Sequence, residues 1–110
     1  MELGGHAPVI VHADTDPVAA ARKLAATKFR NCGQVCISPS RFYDHRSILP
    51  AFETAFAEVA LAIRPGDGLD PAATMGPMIR ARAVEAALSL ITIAQRMRAI
   101  ARRARGEHHV

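Results

Sequence analysis

The sequence predicts an α/β fold whose elements follow the order strand, helix, strand, helix, helix. Short, β-branched apolar runs alternate with longer segments in which apolar residues recur at helical spacing, and this alternation favours a sheet packed against helices. Half of the 110 residues are hydrophobic and 22% are charged, which is typical of a globular chain. We therefore expect one small domain or part of a larger one.

The first strand and helix are predicted near the amino terminus. Residues 8–12 form the run PVIVH, which is apolar rather than alternating, so we expect a parallel strand covered on both faces. Asp16 suits a helix N-cap, and Pro17 suits the first helical position because its missing N–H has no partner there. Residues 18–29 then favour a helix. We expect it to end at the turn formers Asn31 and Gly33.

A second strand and an amphipathic helix follow. Residues 41–44 are predicted as the strand, Ser47 as the N-cap of the helix, and Pro50 as a residue tolerated in its first turn. Apolar residues then recur at spacings of three and four, which predicts a helical face packed on the sheet. This apolar stripe consists of Leu49, Phe52, Phe56, Val59 and Ile63.

The rest of the chain changes character twice. Residues 64–77 are dense in Gly, Pro and Asp, and we expect a surface loop without structure of its own, carried on a larger body. Helical spacing returns over residues 80–94. Two strands alone leave open sheet edges, which indicates that further strands complete the sheet.

The basic charge belongs to the carboxyl-terminal part. Residues 1–79 have a formal charge of −1, whereas residues 80–110 carry seven Arg and two Glu, a charge of +5. This leaves an alternative function open, a basic-tailed binding module that contacts nucleic acid or an acidic partner. No nucleic-acid motif or aromatic platform accompanies the charge, so nucleic acid is the less favoured partner.

Cysteine usage and the amino terminus favour a reduced, cytoplasmic location. The two cysteines, Cys32 and Cys36, make no disulfide framework, and we predict neither a secretory signal nor a membrane span. A metal site formed by these thiols with His6 or His45 is a further alternative, but the spacing is a poor zinc signature. We expect no metal.

Two side chains are candidates for catalysis. Cys36 lies in a Gly-containing loop between rigid elements, where its thiolate can act as a nucleophile and its backbone N–H as an oxyanion donor. Glu2 precedes a Gly-Gly turn and a buried strand, where a carboxylate can activate water. By themselves, such residues are more often structural or solvated.

Four ordered segments resemble motifs of the aldehyde dehydrogenase superfamily. Residues 2–8, ELGGHAP, resemble its glutamate signature, and residues 29–36, FRNCGQVC, resemble its cysteine signature. Residues 66–70, GDGLD, and residues 75–79, MGPMI, resemble two further family segments. The resemblance covers residues 2–94, whereas the Arg-rich tail at 95–110 departs from the family pattern. The implied organisation is a partial aldehyde dehydrogenase catalytic domain followed by that tail.

The resemblance implies a role for each matching residue. Cys36 would attack the aldehyde carbon to give a thiohemiacetal and then a thioester, which water activated by Glu2 would hydrolyse to the acid. Leu3 and Gly4 would lie beside the nicotinamide of NAD or NADP, which accepts the hydride. Cys32 occupies a variable family position and is expected to be structural.

The resemblance also implies what these 110 residues lack. A family member is about four times as long, and its Rossmann-like cofactor domain and oligomerisation strand have no counterpart here. We therefore expect a truncated remnant that is inactive alone, although family members are homo-oligomers. His6, together with residues 28–31 and 66–70, favours a succinate-semialdehyde-like subgroup, and Asp44 replaces an apolar residue usual in the second strand.

Overall fold

The computed structural model describes residues 5–104, and it describes side chains for residues 5–98. The chain divides after Pro77 into two compact units. Among the described residues, the first unit contains two strands, two α-helices, a short 3-10 helix and a loop, and the second contains one long α-helix. The predicted order of strand, helix, strand, helix, helix is confirmed.

The first unit begins with a strand–helix–strand arrangement. Strand β1 (Ala7–Val11) leads into helix α1 (Pro17–Phe29), and the chain returns in strand β2 (Pro39–Asp44). The strands pair in parallel, with Val9 opposite Phe42 and Val11 opposite Asp44. A parallel pair needs a crossover connection, and α1 with the loop that carries both cysteines provides it.

Helix α1 begins where the sequence predicts. The Asp16 carboxylate accepts hydrogen bonds from the backbone N–H groups of Val18 at 2.9 Å and Ala19 at 3.2 Å. Pro17 occupies the first turn, where no donor is needed. The N-cap therefore fixes the start of the helix whose far end carries the cysteine loop.

Helix α2 (Leu49–Leu61) packs with α1 on one face of the sheet. Its apolar stripe supplies Phe52, which is 4% exposed, and Phe56, whose ring lies 5.3 Å from that of Phe42 between centroids. Phe29, at the end of α1, lies 5.7 Å from Phe56. This aromatic cluster joins the end of α1 to β2 and α2.

The opposite face of the sheet is exposed in this chain, so the expectation of a strand covered on both faces is wrong for these residues. Ile10 is 68% exposed and its register partner Tyr43 is 56% exposed. Side chains alternate between faces along a strand, so Val9 and Val11 face the helices while Ile10 faces away from them. Both helices of the first unit lie on one side of the sheet, which explains the difference.

The prediction that Ser47 caps α2 is also wrong. The residue before the helix is Ile48, which makes no side-chain cap bond. Ser47 instead pairs with His45, whose Nδ1 lies 2.9 Å from the Ser47 hydroxyl. Pro50 does lie in the first turn, as expected.

The 64–77 loop has structure of its own, contrary to expectation. Thr74 donates its backbone N–H to the carbonyl of Arg64 at 2.8 Å, and Gly66 donates to the carbonyl of Met75 at 2.9 Å. A bridge joins Pro65 to Met75 in parallel. The loop is therefore closed at its base, which holds the segment leading to Gly76.

The second unit contains helix α3 (Ala81–Ala104). It confirms the helix predicted over residues 80–94 and continues for ten residues beyond it. The domain boundary predicted at residue 94 stays a prediction. Across residues 5–104, no helix combines the length and apolar character that crossing a bilayer requires.

Candidate active site

Cys36 lies on an exposed β-turn between α1 and β2. The backbone N–H of Ser38 donates to the carbonyl of Val35 at 2.9 Å, which places Cys36 and Ile37 at the two central positions of the turn. Cys36 is exposed and carries a free thiol, and Ile37 is 64% exposed. Cys36 is thus accessible to a small molecule from solvent.

The chain enters this turn through three consecutive residues in the left-handed region. Asn31, Cys32 and Gly33 have φ angles of 50°, 57° and 74°. All three belong to a short 3-10 segment, Arg30–Gly33, that follows α1 directly. These residues redirect the chain within one turn, so that α1 ends as the sequence predicts.

A pair of side chains braces that reversal. The Asn31 amide donates to the carbonyl of Gln34 at 3.3 Å, and the Gln34 amide donates to the carbonyl of Asn31 at 3.1 Å. The Gln34 backbone N–H also donates to the carbonyl of Asn31 at 3.0 Å. The two amides of the Asn-x-Gly-Gln sequence therefore stabilise the loop backbone.

Ser38 anchors the far side of the turn, a role that the sequence analysis missed. Its side chain is buried, at 6% exposure, and donates to the carbonyl of Lys28 at 3.1 Å. A Cβ at Gly33 would lie 3.3 Å from the same carbonyl, so glycine suits this position in both space and φ. The sequence signal was a small hydroxyl residue after a Gly-containing loop, which gives no indication of its distant partner.

Cys32 is half-buried and contacts a different part of the chain from Cys36. Its Sγ lies 2.8 Å from the carbonyl oxygen of Gly76, in the 64–77 loop. The two thiols are both free. The structure thus separates a tethered thiol, Cys32, from an exposed one, Cys36.

The other predicted site residues, Glu2, Leu3 and Gly4, lie outside the described residues. Of the predicted catalytic and cofactor-binding residues, the structure therefore locates Cys36. His45, considered as a metal ligand, is paired with Ser47. No group of three or more His, Cys, Asp or Glu in the described part of the chain could hold a metal ion.

Asp44 lies in an environment that disfavours the negative charge of its carboxylate. It ends β2 beside an open pocket of about 350 Å³ whose lining also includes Phe42, Phe52 and Glu53. Its Oδ1 is buried and has no hydrogen-bond partner among the described residues. Burial, and secondly the negative charge of Glu53, raise the pKa of Asp44 above its ordinary value.

Comparison with known proteins extends over most of the chain. The model of the aldehyde dehydrogenase family matches residues 1–105. A non-phosphorylating aspartate-semialdehyde dehydrogenase from Halomonas elongata is 43% identical over 91 residues, which are 83% of this chain and 18% of that protein. A succinate-semialdehyde dehydrogenase [NADP(+)] from Schizosaccharomyces pombe is 40% identical over 79 residues, which are 72% of this chain and 16% of that protein.

A solved structure shares the fold. Betaine aldehyde dehydrogenase from Staphylococcus aureus, in complex with NAD+, superposes with a TM-score of 0.79 and 31% identity, covering 87% of this chain and 19% of that chain. The chain thus spans less than one fifth of the length of each of these three proteins.

Proposed function

Because the chain belongs to the aldehyde dehydrogenase family, we propose that Cys36 is the nucleophile of an NAD- or NADP-dependent oxidation of an aldehyde to an acid. The observation that carries this proposal is the free, exposed thiol on a turn anchored at both ends. A loop between rigid elements can hold the sulfur while leaving one side open to substrate.

The first step is attack on the aldehyde. The Cys36 thiolate forms a bond to the carbonyl carbon, the carbonyl π electrons move to oxygen, and the product is a thiohemiacetal oxyanion. The backbone N–H of Cys36 is proposed as one donor to that oxygen, since developing negative charge is stabilised by a fixed donor. The exposed position at the centre of a turn supports access for the aldehyde.

Two further steps, oxidation of the adduct and hydrolysis of the resulting thioester, complete the proposed reaction. NAD or NADP, when bound, supplies a hydride acceptor, so that the adduct becomes a thioester. Glu2 is proposed to accept a proton from the water that attacks this thioester, releasing the acid and the Cys36 thiolate. Leu3 and Gly4, which precede the described residues, are proposed to lie beside the nicotinamide.

We propose a semialdehyde as the substrate class. The names of the Halomonas and Schizosaccharomyces proteins support this, since both are semialdehyde dehydrogenases. The resemblance of His6 and of residues 28–31 to that subgroup points the same way.

We also propose that these 110 residues have no NAD(P)-linked activity by themselves. They span 18% of the Halomonas protein, so a complete enzyme contains far more structure than this chain supplies. Reduction of NAD or NADP by the purified chain with succinate semialdehyde, lost in Cys36→Ala, would contradict this part of the proposal.

A chimera tests the catalytic roles. The matching 91-residue segment of the Halomonas protein is replaced by the corresponding residues of this chain, and cofactor reduction is measured with the aldehyde of the host. We expect activity that Cys36→Ala abolishes and that Glu2→Gln reduces to a single burst, because acylation persists without hydrolysis. Thermal unfolding and cofactor binding are measured in parallel. A folded, cofactor-binding chimera that stays active after Cys36→Ala would overturn the proposal.

A further inference from the structure

The left-handed reversal at Asn31, Cys32 and Gly33 requires something to hold it. Residues other than glycine seldom adopt positive φ, because Cβ then crowds the following carbonyl, and Cys32 does so at 57°. Such conformations persist where surrounding contacts over-determine them. The contacts of Cys32 therefore matter more than those of an ordinary loop residue.

The Asn31 and Gln34 amides brace the two ends of the reversal, whereas Cys32 at its centre makes a contact of longer range. Its thiol donates to the carbonyl of Gly76 at 2.8 Å, across 44 positions of sequence. Gly76 directly follows Met75, whose carbonyl accepts the bond that closes the base of the 64–77 loop. The acceptor is thus attached to a closed loop rather than a free one.

The reversal is also joined directly to the turn that carries Cys36. The Asn31 amide donates to the carbonyl of Gln34, and the next residue, Val35, accepts the Ser38 N–H that closes the turn. Gly33, next to Cys32, lies in a confined place, since a Cβ there would be 3.3 Å from the Lys28 carbonyl. A shift at Cys32 would therefore be transmitted to the turn through Gln34 and Val35.

From these contacts we propose that Cys32 is a positioning residue, which fixes the turn carrying Cys36 by donating its thiol proton to the Gly76 carbonyl. The inference rests on the proposed function in one respect: Cys36, which the turn carries, is the proposed nucleophile. It revises the sequence-based expectation that Cys32 is merely structural. The 64–77 loop becomes part of the support of the site.

The test compares Cys32→Ala, which removes the donor, with Cys32→Ser, which keeps one. Amide hydrogen exchange at Ser38 in the 110-residue chain reports the turn, since that N–H closes it. We expect exchange about fivefold faster in Cys32→Ala, the effect of one lost hydrogen bond, and a return to within about twofold in Cys32→Ser. Asp16→Ala, which removes the α1 cap, is the control for a general loss of stability.

Two exchange results would overturn the inference. One is unchanged exchange at Ser38 in Cys32→Ala. The other is the same acceleration in Asp16→Ala, which would show that Cys32 acts only through overall stability.

The chimera supplies the functional readout. Cys32→Ala is expected to lower kcat about fivefold with little change in KM, and Cys32→Ser to restore it. Equal kcat values in all three forms would overturn the assignment of a positioning role. The chimera could be inactive with Cys32 in place while Cys32→Ala still accelerates amide exchange at Ser38. That result would count against the proposed function and would support the role of the Cys32–Gly76 bond in fixing the turn.

Discussion

The Ser38 hydroxyl donates a hydrogen bond to the Lys28 carbonyl at 3.1 Å, and this contact joins the start of β2 to the last turn of α1. The final carbonyls of a helix have no partner within the helix, so a side chain from elsewhere can satisfy one of them. Because ten residues separate the two partners, the bond closes the whole loop that carries both cysteines. This bond therefore fixes the distance between the two ends of the loop.

Ser38→Ala is expected to lower the free energy of unfolding by about 1–3 kcal/mol, because it leaves the Lys28 carbonyl without its side-chain donor in a part-buried position. Chemical denaturation of the chain measures the change. Ser47→Ala is the matched control, since Ser47 is exposed and does not cap α2, and it should change stability by less than about 0.5 kcal/mol. Equal losses in the two variants would contradict the anchoring role of Ser38.

Asp16→Ala is expected to destabilise the chain by about 1 kcal/mol, because the two backbone N–H groups that donate to the Asp16 carboxylate lose their acceptor. The loss is measured as a lower denaturation midpoint with an unchanged slope. Asp14→Ala removes the same charge two residues earlier, at another exposed position, and provides the control. A similar loss in Asp14→Ala would attribute the effect to net charge instead of capping.

These cases show which parts of the fold the sequence could predict. The start of α1 is a local property, because Asp16, Pro17 and the N–H groups that they affect lie within four residues of one another. The left-handed reversal that includes Asn31 and Gly33 is equally local. In contrast, the Cys32–Gly76 bond spans 44 positions, and no residue pattern indicates which carbonyl the thiol meets.

Two of the wrong predictions, the Ser47 cap and the burial of both faces of β1, have physical causes of the same kind. Ser47 was a sound candidate for an N-cap, but His45 lies two residues away and offers its Nδ1 to the same hydroxyl. The apolar run of β1 predicted burial on both faces, yet both helices of the first unit cover the same side. Which face is covered depends on tertiary packing rather than on the composition of the strand.

Phe52→Ala is expected to cost about 3–5 kcal/mol, because Phe52 is 4% exposed and its ring packs on those of Phe42 and Phe56. Because few side chains among residues 5–98 are buried, this loss should remove the cooperative thermal transition. Near-ultraviolet circular dichroism and calorimetry measure it. Tyr43→Ala is the aromatic control, since Tyr43 is 56% exposed on the open face of the sheet. If both variants kept the transition, the core would not depend on α2.

Asp44→Asn is expected to stabilise the chain at neutral pH. The folded-state pKa of Asp44 is raised above its ordinary value of 3.8, so the folded protein binds this proton more tightly than the unfolded chain does. Stability from this group is therefore present at pH below 3.8 and is lost as pH rises through the folded-state pKa. The variant removes the charge whose burial and repulsion from Glu53 cause the loss.

The measurement for Asp44 is the difference in denaturation midpoint between Asp44→Asn and the parent at pH 3 and at pH 7. We expect a gain at pH 7 that is largely absent at pH 3, where the parent carboxyl is also neutral. Glu53→Gln should give a smaller gain at pH 7, because the charge of Glu53 is the lesser of the two causes. A loss of equal size at both pH values would mean that the Asp44 side chain stabilises β2 through contacts that do not depend on its charge.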